Sequence, residues 1–287
     1  MKIPDILSFS DVKQRIREAL AEDLGSGKLD ATTFALVPKG EKAKAHLVAR
    51  EKGILAGGSV AAEVFRQLDS SVKVVQKKKD GAEIKPGDIV LTICGSARAM
   101  LVAERTALNF IQRMTGIATI TRRYVEEAGN PDVLILDTRK TTPTLRTFEK
   151  YAVVCGGGTN HRYGLFDRVL IKDNHLAHWT RVGGTLAEAV TEARKKHPEL
   201  LVEVEVDTVE QLKEVLTAKP DWVLLDNMPP TVLRKCVKLC AGICKTEASG
   251  GVNLKTIRAI AQTGVDAISV GALTHSAPSA DLALDFV

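Results

Sequence analysis

LVEVEVDTVEQLKEVLTAKPDWVLLDN, residues 201–227, carries the pattern that sets the fold class. Two apolar, β-branched runs, LVEVEV (201–206) and WVLLDN (222–227), flank a helix-like segment. Continuous runs of this kind suit strands covered on both faces, as in parallel sheets. The pattern repeats outward as VLILDT (133–138), RVLIKD (168–173), ICKTEAS (243–249) and AISVGA (267–272). Alternating strand and helix predicts an α/β barrel or a doubly wound sheet. No GxGxxG follows the first of these strands, which weighs against a dinucleotide-binding sheet. Each run ends in polar or glycine residues: DTRK, KDN, EVD, DN, SGG and GA. In a barrel those carboxyl ends converge on one mouth, where active sites are built. The expectation is an open, incomplete α/β barrel, because six strands are fewer than closure needs.

The N-terminal third reads differently. SDVKQRIREALAED (10–23) has helical spacing, with Ile16 and Leu20 on one face and Ser10 or Asp11 as the cap. A glycine-bearing loop follows, DLGSGKLDATT (23–33). Residues 43–95 hold short β-prone runs broken by Gly, Pro and Asp, with one helix at SVAAEVFRQL (59–68). A long helical pattern starts at Ala97 and is expected to bend or break near Gly116. The expected division is an N-terminal α+β domain over 1–115 and the barrel over 116–275, with the tail 276–287 packing on the first. The hairpin DGAEIKPGDIVLTICG (80–95) resembles part of biotinyl and lipoyl carriers. It lacks their modifiable tip lysine, so it reads as scaffold.

Composition narrows the class. The 287 residues are 45% hydrophobic and 26% charged, as in ordinary globular proteins. The start, MKIPDILSFSDVKQ, lacks a secretory pattern, and no apolar run is long enough to span a membrane. A cytoplasmic location is expected. Five cysteines, an odd number, argue against a disulfide framework. Cys236, Cys240 and Cys244 repeat every four residues, but without histidine nearby they read as helix packing. The net charge of +5 is mild, and with 4% aromatics there is no stacking platform for nucleic acid.

The strand ends carry the chemistry. Arg139 and Lys140 follow the first barrel strand, His161 and Arg162 precede the second, and Lys172 ends it. Arg105 lies on the preceding helix. Cations gathered at one mouth repel unless anions bind there, and arginine suits carboxylates and phosphates. Glu205 and Asp226, near the ends of consecutive strands, suit a divalent cation or sugar hydroxyls. Strand periodicity puts Glu203 on the same face as Glu205, so it does not rank the two. Ser249-Gly250-Gly251, preceding the helical pattern NLKTIRAIAQTG, and Gly271-Ala272 end the last two strands in turns that suit phosphate. The inventory implies a phosphorylated sugar and a multiply anionic partner.

At these residues a resemblance becomes specific. ERTALNFIQRMTGIAT (104–119), the run from DTRKTTPT to LIKDNH (137–175), VEVEVDT, LLDN, EASGGVN and VDAISVGALTHSA are similar to the quinolinate phosphoribosyltransferases. EDLGSG (22–27) matches them too, so the likeness covers nearly the whole chain. It implies an N-terminal α+β domain and an open α/β barrel, working as a homodimer or larger assembly. The implied substrates are quinolinate and phosphoribosyl pyrophosphate, with Mg2+. Arg105 (donated across the dimer), Arg139, His161, Arg162 and Lys172 would grip the quinolinate carboxylates. Lys140 would stand near the reacting centre, and Glu205 and Asp226 near the ribose and Mg2+. Lys140, Lys172, Glu205 and Asp226 form the implied catalytic set. Ser249, Gly250, Gly271 and His275 would hold the 5′-phosphate. The spacing from LLDN back to VEVE selects Glu205 over Glu203. GKLDATT (27–33) departs from the family's shorter turn, and LAHWTRVGGTLAEAV (176–190) looks longer than usual in the loop covering the mouth.

Four other readings compete with this one. A ModD-like pyrophosphorylase shares the fold, and a nicotinate-specific enzyme would need cations for one carboxylate only. A Schiff-base aldolase would use Lys172 with a depressed pKa. A carrier module would need the tip lysine that the hairpin lacks.

Overall fold

The structure is a computed structural model that describes residues 9–27 and 30–287. Lys28 and Leu29 of the loop at 23–33, and the start of the chain through Ser8, lie outside the described residues. Two compact units emerge. The first comprises 1–122, 141–157 and 273–287; the second comprises 123–140 and 158–272.

In the first unit a four-stranded antiparallel sheet is ordered β12-β1-β5-β3. Its strands are β1 (Lys42–Ala49), β3 (Lys73–Gln76), β5 (Ile89–Ser96) and β12 (Leu282–Phe286). β12 pairs along β1 from Ala45↔Phe286 to Ala49↔Leu282, so residues at the far end of the chain complete this sheet. β2 (Gly53–Ile54) and β4 (Glu83–Ile84) form a separate pair. The first helix spans Phe9–Leu24 and buries Val12, Ile16 and Leu20 at helical spacing. Ser10 and Asp11 stand inside it, so neither is its cap. The expected loop before residue 33 instead opens a helix at Ala31–Leu36, because Asp30 accepts the Thr33 N–H at 2.9 Å.

The long helix runs unbroken over Ala97–Ala128, through Gly116. Gly116 serves close approach rather than breakage. A Cβ there would stand 1.9 Å from the Pro278 carbonyl oxygen, so only glycine lets the two backbones meet.

The second unit contains the six expected strands in one sheet: β6 (Leu134–Leu136), β7 (Val169–Ile171), β8 (Val202–Val206), β9 (Trp222–Asp226), β10 (Lys245–Ser249) and β11 (Ala267–Ser269). Every ladder is parallel, and the order is β6-β11-β10-β9-β8-β7. The first strand lies beside the last, as in a barrel, while no ladder joins β6 to β7 among the described residues. The barrel is therefore open, as the count of six suggested. Capping boxes at Thr208/Gln211 and Thr185/Glu188 start the helices Val209–Leu216 and Leu186–Lys196.

Two local readings differ. The segment after Lys172 is helical over Asp173–Arg181 rather than a loop, and it closes through Trp179, whose ring N–H donates to the Thr185 carbonyl at 2.9 Å. The helix expected from Asn253 shrinks to Ile257–Ala261. There the Thr256 hydroxyl takes the Asn253 N–H and the Asn253 carboxamide oxygen takes the Lys255 N–H, a turn that holds 253–256 outside the helix.

Candidate active site

Cross-strand partners share a face, so the register sorts the barrel interior into layers. Leu136, Trp222 and Ala267 form a buried apolar floor. Glu203 pairs with Trp222, and Glu247 with Leu224 and Ala267, so both acids face the same interior as that apolar cluster. Ser249 pairs with Asp226 at the upper rim, where Lys172, Glu205, Gly250 and Gly271 also stand at strand ends.

Charges at the rim are mixed. Lys172 Nζ lies 3.3 Å from Glu205 Oε2, and the lysine side chain is about half exposed. Burial pushes the Glu205 carboxyl up; Lys172 pulls it down, while Asp226 and Asp173 push it up further. Arg162 is buried at 9% exposure and held below its ordinary value, first by that burial and then by the neighbouring Arg139 guanidinium. Its Nη1 donates to the Arg168 carbonyl at 3.3 Å. Lys140 is exposed, and its backbone N–H donates to Thr138 Oγ1 at 3.0 Å.

Beneath the rim lies an ionic layer. His161 Nε2 stands 3.2 Å from Glu203 Oε2 and 3.3 Å from Glu247 Oε2, all three side chains being buried. Glu203 also meets Arg168 Nη1 at 3.2 Å. The Arg162 N–H donates to His161 Nδ1 at 2.7 Å, and the His161 N–H donates to Asp137 Oδ1 at 2.9 Å. Donation into Nδ1 favours, for the neutral ring, the tautomer with its proton on Nε2, facing the two carboxylates. Burial alone would depress His161, but the Glu203 and Glu247 carboxylates facing its Nε2 outweigh it and raise it to about 9. Burial and the Glu203 charge push Glu247 up. Glu203 stays below its ordinary value, because His161 and Arg168 overcome its desolvation. Neither Glu247 oxygen, nor Glu203 Oε1, makes a well-directed hydrogen bond.

Arg105 and His275 belong to the first unit. Arg105 is largely exposed, 3.9 Å from Glu104, and lines a cleft of about 740 Å³ with Arg15, Asp23, Asn109 and Arg113. His275 is exposed, its Nδ1 2.6 Å from the Ser276 hydroxyl.

Two family models, "Quinolinate phosphoribosyl transferase, N-terminal domain" and "C-terminal domain", match residues 30–115 and 117–285. The chain belongs to the quinolinate phosphoribosyltransferase family. It is 42% identical to a probable nicotinate-nucleotide pyrophosphorylase [carboxylating] of Bacillus subtilis over 97% of this chain and 94% of that protein. The nicotinate-nucleotide pyrophosphorylase [carboxylating] of Mycobacterium leprae is 43% identical over 96% and 98% of the respective chains. NadC from Streptococcus pyogenes superposes with a TM-score of 0.90 at 40% identity, covering 96% of this chain and 97% of that one. Against a human nicotinic acid phosphoribosyltransferase the TM-score is 0.60 at 14% identity, which is likeness of fold alone.

Four residues of the site are not singled out by the motifs above: Asp137, Arg168, Glu247 and Asn227. Glu247 had a usable signal, since it stands two residues before Ser249 and so one layer below it on the same face. Arg168 and Asp137 become partners of the site only through pairing distant in sequence.

Proposed function

We propose that this chain transfers the phosphoribosyl group of phosphoribosyl pyrophosphate to quinolinate, releasing pyrophosphate and CO2 and yielding nicotinate mononucleotide. Two groupings carry this reading: Arg139 crowds a buried Arg162, and Lys172 pairs with Glu205 close to Asp226. Guanidiniums held together favour an anionic ligand, and a dicarboxylate suits a pair of them. This favours quinolinate over nicotinate and over a ModD-like reaction. Lys172 faces Glu205, which keeps it an ion-pair partner rather than a Schiff-base nucleophile.

In the reaction the pyridine nitrogen forms a bond to C1 of the ribose as the C1–O bond to pyrophosphate breaks. The ring nitrogen becomes cationic. The adjacent C–carboxylate bond then breaks, CO2 leaves, and the electron pair on the ring carbon takes a proton from solvent. Arg139, Arg162 and Lys172 would fix the carboxylates, Lys140 would meet the departing pyrophosphate, and Glu205 and Asp226 would face the ribose. Ser249, Gly250, Gly271 and His275 would take the 5′-phosphate. Positioning and charge stabilisation carry most of such a reaction.

Glu205 and Asp226 suit Mg2+: they are oxygen donors whose mutual repulsion a hard dication relieves. When bound, Mg2+ supplies positive charge to the pyrophosphate leaving group. We further infer a cytoplasmic homo-oligomer in which Arg105 serves a neighbouring subunit's barrel. Mixing two inactive variants, Arg105→Ala and Lys172→Ala, should regain activity if so, and stay dead if Arg105 serves its own chain.

The deciding assay supplies phosphoribosyl pyrophosphate and Mg2+ with quinolinate or nicotinate, and follows products by mass spectrometry. Nicotinate mononucleotide and CO2 from quinolinate alone is the expected result. A folded protein giving none overturns the assignment.

A further inference from the structure

Asn227 follows Asp226 at the end of β9 and has a left-handed backbone, φ 52°. A residue with a Cβ holds that conformation at a cost, and keeps it where its surroundings demand it. Three contacts make the demand. Asn227 Nδ2 donates to Asp226 Oδ2 at 2.7 Å. Its backbone N–H donates to the Ser249 carbonyl at 2.9 Å. Its carboxamide fills the space over Gly250, where a Cβ would stand 2.2 Å from Asn227 Oδ1 and 2.8 Å from Asn227 N. Gly250 is itself left-handed, φ 91°.

The hydrogen bond to Ser249 needs only the main chain, so folding gives no reason for the side chain. Asn227 is exposed, and an exposed hydrogen bond between neighbours adds little stability against the left-handed cost. Glycine would take the same backbone freely. The side chain is therefore retained for what it does to its two neighbours.

We infer that Asn227 is a positioning residue, clamping the Asp226 carboxylate and the Ser249-Gly250 turn at one fixed separation. The inference rests on the proposed roles of Asp226 toward the ribose and of Gly250 toward its phosphate. A clamp across both sets the distance between ribose and phosphate contacts, so it serves phosphoribosyl pyrophosphate and leaves quinolinate alone. The chemistry bound is a sugar phosphate, and the amide never touches the reacting atoms.

The test compares wild type, Asn227→Gly, Asn227→Asp and Asp226→Ala under saturating Mg2+. Asn227→Gly keeps the backbone and removes the clamp. Its thermal midpoint should hold or rise, while KM for phosphoribosyl pyrophosphate rises about tenfold and KM for quinolinate stays within about twofold. Asn227→Asp keeps the shape but sets a second carboxylate against Asp226, so its KM for phosphoribosyl pyrophosphate should rise at least as far. Wild-type kinetics in Asn227→Gly would overturn the inference. So would equal rises in both KM values with a lowered midpoint, which would mark a structural role. If Asp226→Ala leaves phosphoribosyl pyrophosphate kinetics unchanged, the role of Asp226 fails first and the clamp has nothing to position.

Discussion

Glu149 in the first unit and Glu247 in the second are equally buried, and their surroundings could hardly differ more. Glu149 Oε1 accepts from Arg113 Nε at 3.1 Å, Arg113 Nη2 at 2.9 Å and the Thr142 hydroxyl at 2.7 Å, and Oε2 accepts the Thr142 N–H at 3.1 Å. Arg113 goes on to the Ala277 and Thr274 carbonyls. Glu247 has the His161 ring at 3.3 Å and no well-directed hydrogen bond. A buried acid with all its partners joins chain segments: here the helix Ala97–Ala128, the 142–149 segment and the residues before β12. A buried acid whose contacts are few and poorly directed is a standing cost, and such costs gather where chemistry is done.

The largest effect should come from the saturated centre. Glu149→Leu strands a mostly buried guanidinium and two threonine donors, and should cost about 3–5 kcal/mol of stability by urea denaturation. A cost under about 1 kcal/mol would mean the network contributes nothing beyond its shape.

The ionic layer of the second unit should respond to pH instead. His161 is raised from its ordinary 6.5 to about 9 by the two carboxylates, against its burial. A base that holds its proton more tightly when folded stabilises the fold fully below pH 6.5, and that stabilisation is lost as pH rises through about 9. The loss should be roughly 2–3 kcal/mol, moderated because the Arg162 N–H at Nδ1 opposes a second ring proton. Denaturation midpoints from pH 6 to 10 read it, and His161→Gln should flatten the curve. Equal slopes in both proteins would place the ring proton elsewhere.

The same contrast explains what the sequence could reveal. The six strands were legible because each is a short apolar run closed by polar residues, and burial on both faces demands such runs. The rim was legible because strand ends are adjacent in sequence to those runs. The ionic layer was not: Glu203 looked like a rival to Glu205, and nothing local to KTEAS pairs Glu247 with a histidine far upstream. Gly116 is hidden for the same reason. Its need for glycine comes from the Pro278 carbonyl, more than a hundred residues away along the chain. The Glu149 network likewise joins residues that no periodicity connects.

The smallest effect is also the sharpest test. Glu247 is raised above its ordinary 4.5 by burial and by the Glu203 charge, with His161 and Ser269 pulling the other way. An acid raised on folding stabilises fully below pH 4.5, and that contribution is lost as pH rises through its folded value. Glutamine has the shape of the protonated acid and cannot ionise. Glu247→Gln should therefore match wild type near pH 4.5 and equal or exceed it near pH 8, by about 1 kcal/mol. Glu149→Gln should move the opposite way, losing about 1–2 kcal/mol at pH 8 because its carboxylate meets a guanidinium that an amide cannot neutralise. The substitution is chemically identical at the two sites, so opposite signs would show that partners, rather than depth, decide what a buried carboxylate does here. If both variants lose stability alike, Glu247 is as structural as Glu149, and the layer under the rim loses its claim to a functional cost.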